Sequence, residues 1–250
     1  MLKAAIDMEH EKMITKSLLT RGILGLFFMG AALGAVARAE DPKEKLAELK
    51  KKREKVATLY IKATSVSRSG SGTRESNIET WEKNSDGKQK FRREVTAKVE
   101  PGTPKEQAAA PSLMIRDGET AWREMDVPGK KMVFRAKAQK LNEYNEIESL
   151  LEKKGIAKIR DSEKILDQPC VLLEIREKAN PEDLVGSYWI SEKYGIVLKS
   201  VVESAGATIT EMKVGEFKVD EDISESKFAY KPPPDAQVFD ENLDKSKKSP

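Results

Sequence analysis

The sequence contains one histidine and one cysteine in 250 residues, and each scarcity excludes chemistry. His10 lies ahead of a segment that reads as cleaved, so the remaining chain is expected to hold no imidazole. That excludes Ser-His-Asp and Cys-His catalysis and removes the commonest zinc ligand. Cys170 is alone and cannot form an internal disulfide. Within Pro169-Cys170-Val171-Leu172-Leu173 it reads as a small buried hydrophobe, because no neighbour in sequence would lower its pKa. Gly-x-Ser-x-Gly, His-Glu-x-x-His, the EF-hand loop and the Walker motif are all missing. Asp220 and Asp222 fall in the charged run 218–223, where solvation is the expectation. The chain is therefore not expected to be an enzyme, nor to carry a cofactor or a metal.

Long apolar runs are equally scarce. One stands out at 22–36, preceded by Lys16 and Arg21 and followed by Ala37-Arg38-Ala39, the small-x-small pattern of a secretory signal peptide. It is short for a bilayer span of ~20 residues and is interrupted by glycine, so removal before Glu40 is expected rather than anchoring. Met13 opens an n-region free of Asp7, Glu9 and Glu11 and is the candidate initiator. The residue after the cleavage point is Glu40, not the cysteine of a lipid-anchored protein, which points to a soluble periplasmic product. Five of the 45 basic and three of the 42 acidic residues precede it, leaving 40 against 39. Lys50-Lys51-Lys52-Arg53 lies on an amphipathic helix without interleaved aromatics, so nucleic-acid binding is not expected.

What is present suggests one domain over 40–239, followed by a polar, disordered tail at 240–250. Asp41 as N-cap, Pro42 and Glu44 open a helix whose stripe is Leu46, Leu49, Arg53 and Val56. Period-2 segments follow at 59–66, 76–83, 90–99, 113–116, 120–125 and 131–135, with 100–112 a Pro- and Ala-rich loop. The Ser69-Gly70-Ser71-Gly72 cluster is a hairpin turn, since no helix follows it. Leu141, Tyr144, Ile147, Leu150 and Leu151 mark a second helix, stopped by Gly155. Strands resume at 156–160, 164–178, 186–192, 195–204, 207–219 and 226–231, the last ended by Pro232-Pro233-Pro234. The expected class is α+β: a curved antiparallel meander whose concave face the helices cover.

Three pieces carry a family resemblance. Met114-Ile115-Arg116-Asp117-Gly118-Glu119-Thr120-Ala121-Trp122 is similar to a strand, Asp-Gly turn and aromatic-bearing strand of the LolA-type carriers of outer-membrane lipoproteins. Tyr188-Trp189-Ile190 with Gly195-Ile196-Val197-Leu198-Lys199 resembles their late hairpin. Lys227-Phe228-Ala229-Tyr230-Lys231-Pro232-Pro233-Pro234-Asp235-Ala236-Gln237-Val238 resembles their closing strand, turn and exit strand. The resemblance implies an unclosed barrel of about eleven strands around an acyl-binding cavity, lidded here by 141–154. It also implies cargo of lipoprotein or lipid acyl chains, an inner-membrane donor transporter, an outer-membrane acceptor and a monomeric carrier. Asn84 stands where the carriers place a lid-latching arginine, with Arg92 or Arg93 as candidate substitutes.

The expected cavity lining is Ile61, Trp81, Phe91, Met114, Trp122, Phe134 and Trp189 from strands, with Tyr144, Ile147 and Leu151 from the covering helix. Period-2 alternation identifies a buried face without saying whether it is filled, so an ordinary core is the competing reading. The same barrel resembles the lipoprotein-sensing domain of envelope-stress regulators, which makes a protein-binding module the alternative function.

Overall fold

The computed structural model describes residues 41–69, 72–85, 87–98, 112–127, 130–153, 155–204 and 207–241. The signal-peptide assignment, nearly all of the 100–112 loop and the tail beyond 241 lie outside them.

Helix α1 spans Pro42–Glu54, and the Asp41 carboxylate caps it by accepting the Lys43 N–H at 2.8 Å. Its expected stripe is real: Leu46 and Leu49 are buried, and Arg53, on the same side, turns its guanidinium inward. Six strands follow: β1 Thr58–Ser69, β2 Gly72–Ser85, β3 Lys88–Lys98, β4 Ser112–Arg116, β5 Thr120–Val127 and β6 Lys130–Lys137. Helix α2, Tyr144–Lys153, leads to β7 Gly155–Ile165, β8 Gln168–Glu177, β9 Leu184–Ser191, β10 Val197–Ser204 and β11 Ala207–Val219. The final strand is β12, Gln237–Asp240.

All twelve strands form one sheet in the order β12-β6-β5-β4-β3-β2-β1-β11-β10-β9-β8-β7. It is large, curved and unclosed, with two helices, as the LolA-like open barrel requires. A simple meander does not describe it. Two meanders, β1–β6 and β7–β11, join where β1 pairs with β11, and α2 carries the chain from one end of the sheet to the other. Wholly antiparallel pairing is also corrected, because β12 lies parallel to β6.

Two segments depart from the sequence reading. The run 164–178 is not one strand: Leu166 and Asp167 both adopt positive φ, 50° and 60°, and turn the chain between β7 and β8. Such a turn ordinarily announces itself with Asn or Gly, and leucine there gives no signal. The closing strand expected at 226–231 is instead a 3₁₀ turn, Glu225–Phe228, followed by irregular chain. The three prolines withhold backbone donors, and only Phe228 has a buried place to go. This stretch crosses one face of the sheet as a strap. Lys227 Nζ lies 3.7 Å from the Trp81 ring centre, Tyr230 packs at 5.6 Å from Trp122, and the Tyr230 hydroxyl donates to Glu124 at 2.6 Å. Helix α2 also starts later than the periodicity implied. Leu141 precedes it, held by the Gln89 side chain through its own N–H at 2.6 Å.

The core lies beneath the helices. Leu46 and Leu49 of α1 and Tyr144 and Ile147 of α2 pack on Val171, Leu173, Ile175, Tyr188, Ile190 and Val197. A second cluster, containing Val56, Leu59, Ala63, Ile196, Leu198, Val214 and Cys170, continues it toward β1. These clusters fill the β8–β11 part of the inner face.

Candidate functional site: a cavity under the helices

Strand register decides which side chains face inward. Ile61, Thr80, Arg93, Met114, Arg123 and Phe134 form one row across β1–β6, and Leu59, Glu82, Phe91, Arg116 and Ala121 form the next on the same face. Between them run Tyr60, Trp81, Arg92, Ile115, Trp122 and Arg135, which by alternation belong to the opposite face.

The inner rows of β1–β4 bound a cavity of about 1140 Å³, partly covered by α1, by 138–143 and by the start of α2 and otherwise open to solvent. That is more than the ~300–1,000 Å³ of pockets for drug-sized ligands. Leu59, Ile61, Ala63, Ile78, Phe91 and Met114 give it an apolar floor, which Val197 and Met212 extend toward the core.

Of the expected lining, Ile61, Phe91, Met114 and Tyr144 border this cavity. Ile147 and Leu151 pack into the core under α2 rather than facing the space. Phe134 shares the inner row but stands at the sheet's end, stacked on Phe239 at 5.3 Å with the Arg123 guanidinium 4.7 Å from its ring centre. Trp81 and Trp122 are on the opposite face beneath the strap. Trp189 pairs in register with Lys199, whose Nζ is 4.2 Å from its ring centre, and it packs beside the second cluster. One candidate list thus drew on both faces of the sheet, because an aromatic in a strand reports burial and not direction.

The polar wall was the part sequence reading missed. Arg53 donates to Glu82 at 2.6 Å and to Glu143 at 2.5 Å, joining α1, β2 and the segment before α2. Glu82 also accepts from Asn84 and from Gln89, each at 3.0 Å. Arg53 thus ties α1 to β2 and to the segment before α2, and Asn84 is an accessory donor to the same Glu82 carboxylate. Its signal was visible: a basic residue on the apolar stripe of an otherwise ordinary helix. Arg93 is nearby, with Nε donating to Thr80 Oγ1 at 3.3 Å. Arg92 faces the other way and pairs with Glu94 at 2.6 Å.

The electrostatics follow from this crowding. Burial, opposed by Arg53 and reinforced by Glu82, raises the Glu143 carboxyl above the usual carboxylate range. Burial pulls the Arg53 guanidinium down, but Glu143 and Glu82 more than offset it. Burial also raises Tyr144, whose hydroxyl donates to Gly195 O at 2.6 Å. Among the described residues no group of His, Cys, Asp and Glu is placed to hold a metal ion. No helix of the described residues is long and apolar enough to cross a membrane.

The site is thus an apolar-floored cavity on the inner face of an open sheet, beside α1, 138–143 and the start of α2. Neither a family model nor a curated protein matches the sequence. Among solved structures, the MucA/MucB complex of Pseudomonas aeruginosa is similar at 15% identity and a TM-score of 0.49, over 78% of this chain and 62% of that one. The lipoprotein LppX of Mycobacterium tuberculosis is similar at 9% identity and 0.40, over 74% and 99%. A LolA-superfamily protein of Nitrosomonas europaea is similar at 10% identity and 0.35, over 77% and 99%. The chain spans less than two thirds of the MucB structure it matches. With similarity at this level, the open-barrel description rests on the sheet itself.

Proposed function

We propose that this protein is a periplasmic, non-catalytic carrier that takes acyl chains of a lipid or lipoprotein into the cavity beneath 138–143 and α2. The observation that carries this reading is the coincidence of an apolar floor with a polar-fastened roof. Removing each CH₂ from water is worth ~0.8 kcal/mol, so a long chain gains enough from the floor to bind without any directional contact. The segment 138–143 is held by polar contacts from Gln89, Arg53 and Arg116, while α2 behind it is seated in the core by Tyr144 and Ile147. Such bonds can exchange with water as the roof lifts, whereas a greasy seam would expose itself. An inner-membrane donor and an outer-membrane acceptor would then complete a transfer route.

Native mass spectrometry of the full chain, exported and recovered from a periplasm, followed by solvent extraction and lipid analysis, tests the reading. A stoichiometric lipid or acylated peptide is expected, and Ile61→Glu should abolish it. A protein that comes out empty and fails to take up a fluorescent fatty acid would defeat the carrier reading and leave a protein-interaction module.

A further inference from the structure

The cations on the cavity wall are not equally satisfied. Lys50 pairs with Glu148 at 2.5 Å, Lys88 with Glu119 at 2.8 Å, and Arg53 with both Glu82 and Glu143. Arg93 has no salt bridge among the described residues, although Glu143 and Glu82 are near enough to act on its charge. Arg116 has less. One of its terminal nitrogens donates to the Gln139 carbonyl, while its Nε is shut off from solvent with no hydrogen-bond partner. Burial lowers its pKa, and no carboxylate acts against that. Arg116 is only half-buried, but its Nε end is cut off from water, and that orphaned N–H is a donor awaiting an acceptor.

Arg116 and Arg93 are also neighbours. Arg116 stands opposite Phe91 in the β3–β4 register and Arg93 stands opposite Met114, so the two arginines occupy one diagonal of a four-residue square and the apolar pair the other. Diagonal positions in an antiparallel pair are ~7–8 Å apart, within common reach of two long side chains. Two like charges at that spacing on an inner face repel, unless an anion sits between them. Guanidinium forks suit carboxylate and phosphate oxygens in particular. The wall's own carboxylates do not serve, since Glu82 is held by Arg53, Asn84 and Gln89, and Glu143 by Arg53.

Resting on the carrier reading, we propose that the cavity's ligand is an amphiphile with an anionic head, carboxylate or phosphate, bound by Arg116 with Arg93 beside it. Its tail lies along Phe91, Ile61 and Met212 toward the core. The head is thereby fixed at the β3–β4 end under Gln139, and the tail direction is set by the sheet.

Three sixteen-carbon probes differing only at the head test this on the full chain by titration calorimetry: palmitate, hexadecyl phosphate and hexadecanol. At least one charged probe should bind about tenfold or more tighter than hexadecanol, a difference of ~1.4 kcal/mol. The tighter of the two names the head. Arg116→Gln should erase most of that preference, read as the ratio of charged-probe to hexadecanol affinity within the same variant, Arg93→Gln should reduce it less, and Arg116→Lys should retain part of it. Should Arg116→Gln fail to fold, Arg93→Gln and Arg116→Lys still read the preference. Equal affinity of wild type for all three probes overturns the inference and leaves the carrier reading intact, as does an equal loss for all three in Arg116→Gln. Failure of the wild type to bind any probe overturns both.

Discussion

The Tyr144 hydroxyl donates to the Gly195 carbonyl at 2.6 Å, and a Cβ placed on that same glycine would stand 2.1 Å from Leu49 O. One residue of the β9–β10 turn therefore seats both helices: α1 lies directly against its Cα, and α2 is hooked to its oxygen. Gly195 also has φ of 66°, in the left-handed region.

Gly195→Ala should be among the most damaging small substitutions. Left-handed strain and a backbone overlap that no rotamer relieves together cost about 2–5 kcal/mol. Urea unfolding is expected to show a lowered midpoint, with α1 amides exchanging early. An unchanged midpoint would show that α1 does not lie where described.

Tyr144→Phe removes the hook without changing the packing of the ring. It leaves the Gly195 carbonyl buried and unpaired, at a cost of about 1–3 kcal/mol. Hydrogen exchange should quicken in α2 and in 138–143 more than in β8 or β9. Uniform acceleration would mean that the bond supports the whole fold rather than the lid.

The Arg53 bridge gives the segment before α2 a pH response. A carboxyl whose folded pKa is raised binds its proton more tightly folded than unfolded. Glu143 is such a group. Stability is therefore gained as pH falls through the interval between its unfolded value, ~4.3, and its folded one, and is lost as pH rises through it. Glu143→Gln should remove this component, checked by urea midpoints across that interval. Arg53→Met should destabilise the fold near neutrality, because it leaves the buried Glu82 and the more exposed Glu143 side by side without their shared cation, and it should recover part of the loss on acidification.

The two sheet faces predict opposite consequences for aromatic changes. Phe91→Asp places a charge on the cavity floor and should abolish fatty-acid uptake while the protein remains folded. Trp122→Ala strips packing from Tyr230 and the strap, costing about 3 kcal/mol or more in stability, yet should leave uptake intact. Loss of uptake in a folded Trp122→Ala protein would contradict the face assignment.

Element types and their order were readable where periodicity and punctuation agreed. Asp41-Pro42 opened α1, Asp117-Gly118 turned β4 into β5, and a curved helix-covered sheet followed from short strands without parallel crossovers, whereas its being left open was implied only by the resemblance. What escaped were features set at long range. The turn at Leu166-Asp167 lacks the residues that favour positive φ, and tertiary pairing of β7 with β8 imposes it. Lys227 to Lys231 alternates like a strand, but the face it meets already has its ladder partners, so the chain lies across rather than alongside. The cavity floor was half legible. Alternation distinguishes two faces within a strand, but only register carries that distinction from β1 to β4, and Trp81 and Trp122 were misplaced by one residue of phase.

Among the described residues the sheet ends at β12 on one side and β7 on the other, with no ladder between them. A closed barrel fixes its circumference in hydrogen bonds, and to widen it some must break. Here the ends can draw together or spread by small changes of twist spread over many strands, with every rung retained. On the carrier reading proposed above, the container is a spring rather than a cup: its capacity would be set by sheet bending and by whatever the helices grip, so that cargo of different girth could be held by the same set of backbone bonds.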